Sequence, residues 1–371
     1  MYALLFADAG LSTAQISALF AIWSLAGFVL EVPSGVWADA VSRRLLLALA
    51  PLLSGAGYAL WVLAPSFEMF ALGFVLWGAQ GALQSGAFEA LVYEELEHRG
   101  AAPAYATVIG RATACGTAAS AVAMGLAAPV FAAGGYEAVG AASVLACALA
   151  ALVGWSLPEH RAATPGGAPS VPGAGPAAIL RRGVGEVRLS AQVRRALVAV
   201  AAVTAVWGSL DEYLPLLAVE AGASVASVPL LGLLVYAGVA TGGLLGGVAG
   251  RLTTRGLRVA VLLAAAALAA GALARTPAGF ALIAVAFALF QAVQIAVDAR
   301  LKDAIEGGAR STVTSVAGLT TEVGVVAVFA AYGIGSGLTT HATLFALAAG
   351  TYLLTSRVID AGRASEHRAR A

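Results

Sequence analysis

Glu31-Val32-Pro33-Ser34-Gly35-Val36-Trp37-Ala38-Asp39-Ala40-Val41-Ser42-Arg43-Arg44 covers the junction of two long apolar blocks near the start of the 371-residue chain. The block before it covers roughly 13–38 and the one after it roughly 45–63, each near the 20 residues that carry a helix across a hydrocarbon core. Gly35 lets two helices approach closely. Asp39 can accept hydrogen bonds from a neighbouring helix N-terminus, where the macrodipole favours an anion. Arg43 and Arg44 can pair with acids or lipid phosphates and keep the loop out of the membrane. The stretch reads as a tight loop at one face of a bilayer.

The rest of the chain agrees with that setting. Hydrophobic residues make up 60% and charged residues 11%, against about 45–50% and about 25% in soluble domains. Mean hydropathy is +0.88. Further apolar blocks fall at roughly 67–93, 104–132, 139–157, 196–219, 225–250, 257–273, 278–299, 311–335 and 340–358. The segment from Tyr2 to Ala7 is apolar but too short to span. It is expected to be the end of a first helix, truncated by a start placed too far downstream, with a short protein as the alternative. If the loop at Arg43 is cytoplasmic, alternate loops and the C-terminus are too. That assignment places every Lys and Arg except Arg111 and Arg275 on the inner side, out of 21. Such a bias fixes orientation. It predicts a multi-pass protein of the inner (plasma) membrane, with both termini cytoplasmic if the first helix is complete.

The segment 158–195 begins as a Pro- and Gly-rich linker and ends in Arg residues spaced among aliphatics, which can lie as a helix on the anionic inner leaflet. It separates a bundle at 1–157 from one at 196–358, followed by a tail at 359–371. The two resemble each other. Phe88–Gly116 aligns without gaps to the segment from Val297, and Ser34–Arg44 to Gly246–Gly256, placing Arg251 over Asp39. A duplicated six-plus-six architecture follows.

The pattern Gly35-x-x-x-Asp39-x-x-x-Arg43-Arg44, preceded by Glu31-Val32-Pro33-Ser34, resembles the loop signature of the major facilitator superfamily in its bacterial form. The resemblance covers essentially the whole chain. It implies an all-α membrane protein of two six-helix bundles, twelve transmembrane helices in all, moving a small molecule by alternating access. It also implies that Gly35, Asp39, Arg43 and Arg44 form a gate that stabilises the outward-facing state. The second copy, with Arg251 in place of the acid, is expected to lack that lock.

Ionisable residues at membrane depth are costly and mark functional positions. They are Glu31, Glu89, Arg111, Asp211, Glu212, Asp298 and Glu322. All fall in spans that surround the cavity in the resembled fold. Asp211 and Glu212 lie near mid-depth of the seventh span. Neighbouring positions on a helix point about 100° apart, so at most one faces a cavity squarely. Glu322 is also near mid-depth, in line with Gly318 and Thr314. These three and Glu31 are the candidates for proton or substrate contact, and a gate contact is equally open for Glu31. Glu89 and Arg111 lie at similar depth in consecutive spans and are expected to form an intramembrane ion pair. Asp298, beside Arg300 and Lys302, reads as a solvated helix end. Gly238, Gly242, Gly246 and Gly250 form a strip for close helix contact.

Other classes find little support. Cys115 and Cys147 stand alone in apolar runs, and no cluster of ligands points to a metal. No phosphate loop or nucleophile–base set suggests an enzyme, no cofactor is implied, and a net charge of +1 does not suit nucleic acid. The expected partners are a small-molecule substrate, protons and the lipid bilayer, with the chain acting as a monomer. Proton-coupled export of a partly apolar compound is favoured because the spans are poor in basic residues. A non-transporting receptor or accessory protein that kept the fold is the alternative.

Overall fold

The computed structural model describes residues 1–159, 191–303 and 310–360; for 31–40, 85–86, 191–192, 195, 310–315 and 358–360 it describes the backbone alone. The linker beyond Glu159, its inner-leaflet helix and the tail beyond Asp360 lie outside the described residues. So do the side chains of Glu31 and Asp39 and the surroundings of Gly35; the backbone at all three is helical. Among the described residues the structure is helical throughout, without strands. Eight stretches among the described residues are long and apolar enough to cross a membrane.

The chain forms two compact units, one of Tyr2 and Leu4–Ser170, the other of Met1, Ala3 and Val171–Ala371. The first contains α1 (Tyr2–Asp8), α2 (Thr13–Ala40), α3 (Arg43–Leu63), α4 (Phe67–His98) and α5 (Tyr105–Ser156). Helix α5 holds two spans. Its backbone leaves the helical region at Gly134 and Gly135, where a φ of 61° suits a residue without a side chain. The second span runs antiparallel to α3: Gly140 meets Val62, Cys147 meets Gly55, and Gly154 meets the backbone of Leu47. Seven-residue spacing keeps these contacts on one face. Away from that face the core is aromatic. The Phe6 and Phe70 rings lie 4.2 Å apart, and the Trp61 indole donates to the Phe70 carbonyl at 3.1 Å.

The second unit contains α6 (Ala191–Leu210), a 3₁₀ turn at Asp211–Tyr213, α7 (Leu214–Glu220), α8 (Val228–Gly250), α9 (Thr254–Leu273), α10 (Phe280–Asp303), α11 (Arg310–Gly335) and α12 (His341–Asp360). Helix α8 is pressed on α10 through the glycine strip. A Cβ on Gly238, Gly242 or Gly246 would strike Ala284, Ala288 or Ile295, whereas one on Gly250 would meet nothing within 4 Å. Helix backbones therefore touch along most of the strip, and its last member takes no part.

A repeat of turns ties the units to one design. Asp8-Ala9-Gly10-Leu11-Ser12 and Glu220-Ala221-Gly222-Ala223-Ser224 share the pattern acid-Ala-Gly-x-Ser. Gly10 and Gly222 close their helices with φ of 89° and 87°. Helix α1 thus corresponds to α7, the part of the seventh span beyond its 3₁₀ turn.

Candidate functional site

The seventh span is interrupted where its carboxylates lie. One turn before Asp211, the Tyr352 hydroxyl of α12 accepts from the Trp207 backbone N–H and donates to the Val203 carbonyl, each at 3.0 Å. Those two groups are four apart, the partners of an ordinary helical bond, so a side chain has entered the ladder. The 3₁₀ turn follows immediately. It leaves Asp211 exposed and Glu212 half-buried, the latter with a partner of its own. Thr204 and Gly208 share a stripe of α6 that leads to Asp211, the first residue of the turn. A Cβ on Gly208 would meet nothing within 4 Å, so this face of the helix is open.

Beside the stripe, the Trp207 ring packs edge-on against Phe287 of α10 at 5.4 Å. Gln291 and Gln294 follow Phe287 on the same side of α10. Three buried polar atoms in the second unit have no partner among the described residues: Thr204 Oγ1, Trp207 Nε1 and Gln294 Oε1. Thr204 is unusual in this. Ser209, Thr241, Thr320 and Thr321 all return their hydroxyls to the carbonyl four residues back. An unmade buried hydrogen bond costs about 1–3 kcal/mol. The sequence reading weighed only ionisable groups and passed over these neutral ones. Gln291 and Gln294, amides inside an otherwise apolar span, were the available signal.

Glu322 is half-buried on α11 and has a partner of its own. The approach of α11 to α6 is made by Gly324, where a Cβ would come 2.9 Å from that of Ala205. Two helical positions turn through about 200°, so Glu322 lies on the other side of α11 from this contact. The structure therefore does not gather Glu322 and Asp211 on one helix interface. Asp298 pairs with Lys302 at 2.7 Å, both partly exposed.

At the opening motif, Ser42 caps α3 by accepting from the Leu45 N–H at 3.1 Å. Glu159, just past α5, accepts from the Ser42 hydroxyl at 2.5 Å and from the Arg43 N–H at 2.7 Å. The Arg43 guanidinium pairs with Glu94 of α4, and Arg44 lies over the Trp155 ring at 5.3 Å. Arg43 and Arg44 thus bind the loop to α4 and α5 of their own unit. Glu94, Trp155 and Glu159 were not anticipated, because which helix end an arginine reaches depends on packing. Glu159→Ala is expected to lower stability by about 1 kcal/mol by removing the acceptor of the Arg43 N–H and of the Ser42 hydroxyl; chemical unfolding against wild type checks it. The second-unit loop is held differently, by Arg300 donating to the Leu252 carbonyl at 2.5 Å. Glu89 and Arg111 are not brought together. Both are exposed, and no ion pair joins them among the described residues. Similar depth does not place two side chains on facing sides of their helices.

Each unit also carries a clasp at the repeated turn. Asp8 accepts from the Tyr136 hydroxyl at 2.8 Å. Burial, reinforced by that carboxylate, pushes the Tyr136 phenol well above its usual range, so it remains a donor at any physiological pH. Glu220 accepts from the His341 and Ala342 N–H groups at 2.7 and 2.9 Å, an anion at the N-terminus of α12. Glu220→Ala is expected to cost about 1 kcal/mol and to lower the melting temperature measurably. An unchanged transition would mean that solvent replaces the carboxylate without loss.

No curated protein matches this sequence at a significant level. Among solved structures, a bacterial homolog of the human lysosomal transporter Spinster, in an inward-facing and unoccupied conformation, superposes with a TM-score of 0.65 at 19% identity, covering 98% of this chain and 96% of the other. The nucleoside transporter NupG superposes with 0.68 at 13% identity, over 96% and 92% of the two chains. The E. coli fucose:proton symporter FucP (N162A) gives 0.50 at 15% identity, over 97% and 95%. These likenesses establish the fold. Residues 1–329 match the family model described as Major Facilitator Superfamily. With that match over most of its length, the chain is a multi-pass membrane protein belonging to the major facilitator superfamily, a family of transporters rather than enzymes.

Proposed function

We propose that this protein is a secondary active transporter that couples movement of a small molecule to protons, with Asp211 as the proton-carrying group. The observation that carries this reading is an exposed carboxyl in the broken middle of a membrane span, on the open face that includes Gly208. A carboxyl at that depth can take a proton from one side and release it to the other as access alternates. In this reading the chain comprises bundles at 1–157 and 196–358, joined by a cytoplasmic segment at 158–195 and followed by a tail at 359–371. The arginine bias orients the C-terminus, and the N-terminus too if the first helix is complete, toward the cytoplasm of a plasma-membrane protein. Gly35 and Asp39, with Arg43 and Arg44, serve as its inner gate. Glu31, Glu212 and Glu322 are secondary candidates for proton or substrate contact. Export is the favoured direction, by a monomer, because the described interiors of the spans contain few basic groups that would hold an anion.

The test is flux. Proteoliposomes loaded with pyranine are challenged with a panel of uncharged, cationic and anionic solutes. At least one solute is expected to change luminal pH in protein-containing vesicles and not in protein-free ones. Silence across the panel, with folded protein in the vesicles, would favour a receptor or accessory role instead.

A further inference from the structure

We propose that Thr204, Trp207 and Gln294 form a binding site for an uncharged solute carrying neighbouring hydrogen-bond donor and acceptor groups. The three orphaned atoms are one hydroxyl, one indole N–H and one amide oxygen, all buried, and Trp207 is only 9% exposed. Native structures leave few such atoms unpaired, and three on one pair of packed helices call for a common cause.

Their placement suits one ligand. Trp207 and Thr204 are three residues apart on α6 and share a face. Side chains on a helix lean toward its N-terminus, so the indole extends from Trp207 toward the level of Thr204. Helix α10 is the third span after α6 and runs the opposite way. Gln294, seven residues beyond Phe287, therefore lies in the same direction from the Trp207–Phe287 contact. Thr204 is about 4.5 Å and Gln294 about 10 Å along the axes from that contact. A small solute spans the interval. It would offer an acceptor to the indole and hydroxyl, and a donor to the amide oxygen. The edge-on Trp207 and Phe287 rings supply an apolar wall.

The site selects against charge. All three groups are neutral, and α6 and α10 carry no basic side chain from 196 to 299. A charged ligand group seated between them would lie unpaired in a medium of low dielectric. Asp211 lies just past the end of α6, outside this set of groups. Calling the ligand a transported substrate rests on the preceding reading; the binding site itself does not.

Two measurements on the purified full-length chain test it. Without ligand, Thr204→Val and Gln294→Met each remove an unsatisfied atom and are expected to raise the melting temperature by about 1–3 °C. Unchanged or lower values would show that the groups are satisfied within the protein, and would overturn the proposal. With ligand, melting is followed against myo-inositol, glucose, uridine and nicotinamide, with arginine, glutamate and tetraphenylphosphonium as charged comparisons. An uncharged member is expected to stabilise wild type, and the double variant Thr204→Val/Gln294→Met to lose at least half of that shift. Stabilisation by charged members alone, by none, or equally in the variant would also overturn it. Binding without vesicle flux would sink the transporter reading and leave this site standing; flux with unaltered variants would do the reverse.

Discussion

Gly242→Ala is expected to destabilise the second unit by about 3 kcal/mol, and Gly242→Val to prevent recovery of folded protein. A Cβ at Gly242 would overlap the Ala288 carbonyl oxygen and approach its carbonyl carbon to 2.8 Å and its Cα to 2.9 Å. These are backbone atoms of α10, so no rotamer change relieves the clash. The helices would have to separate, and Gly238 against Ala284 and Gly246 against Ile295 would lose contact together. Gly243→Ala is the matched control. Its Cβ would meet nothing within 4 Å, and alanine in a helix is favoured over glycine by up to about 1 kcal/mol. Melting of both variants in the same detergent checks the contrast. Equal stability of the two would mean that α8 and α10 slide or separate without loss.

Asp211→Asn is expected to abolish proton-driven movement, with a fall of about tenfold or more in the pyranine signal, while downhill exchange of substrate persists. Asparagine keeps the size and hydrogen bonding of the side chain but cannot exchange a proton. Glu212→Gln is expected to have the smaller effect on coupling. Glu212 is half-buried and already engaged, and it points about 100° away from the face that Asp211 shares with Gly208 and Thr204. Gradient dependence surviving in Asp211→Asn would remove that residue from the coupling step, and loss in Glu212→Gln alone would transfer the role.

Much of this could be read from the chain. The membrane class and fold follow from apolar blocks separated by loops whose arginines fall on one side. The Gly35-to-Arg44 loop pointed to the family that the match over 1–329 establishes. The acid-Ala-Gly-x-Ser repeat at Asp8 and Glu220 was equally legible, but it becomes conspicuous only when two positive-φ glycines stand in matching turns. Thr204, Trp207 and Gln294 were harder to find, since none is charged. Their interest arises from what they fail to touch.

The division has a physical basis. Hydropathy and charge act on each residue according to its depth in the bilayer, so sequence sufficed for the membrane class, the helical fold and the family. Azimuth and partners depend on how helices cross. Packing separated Glu89 from Arg111, gave Arg43 to Glu94 and Ser42 to Glu159, and brought Tyr352 into the backbone of α6. Those choices arise from contacts between distant segments, which no local pattern of residues encodes.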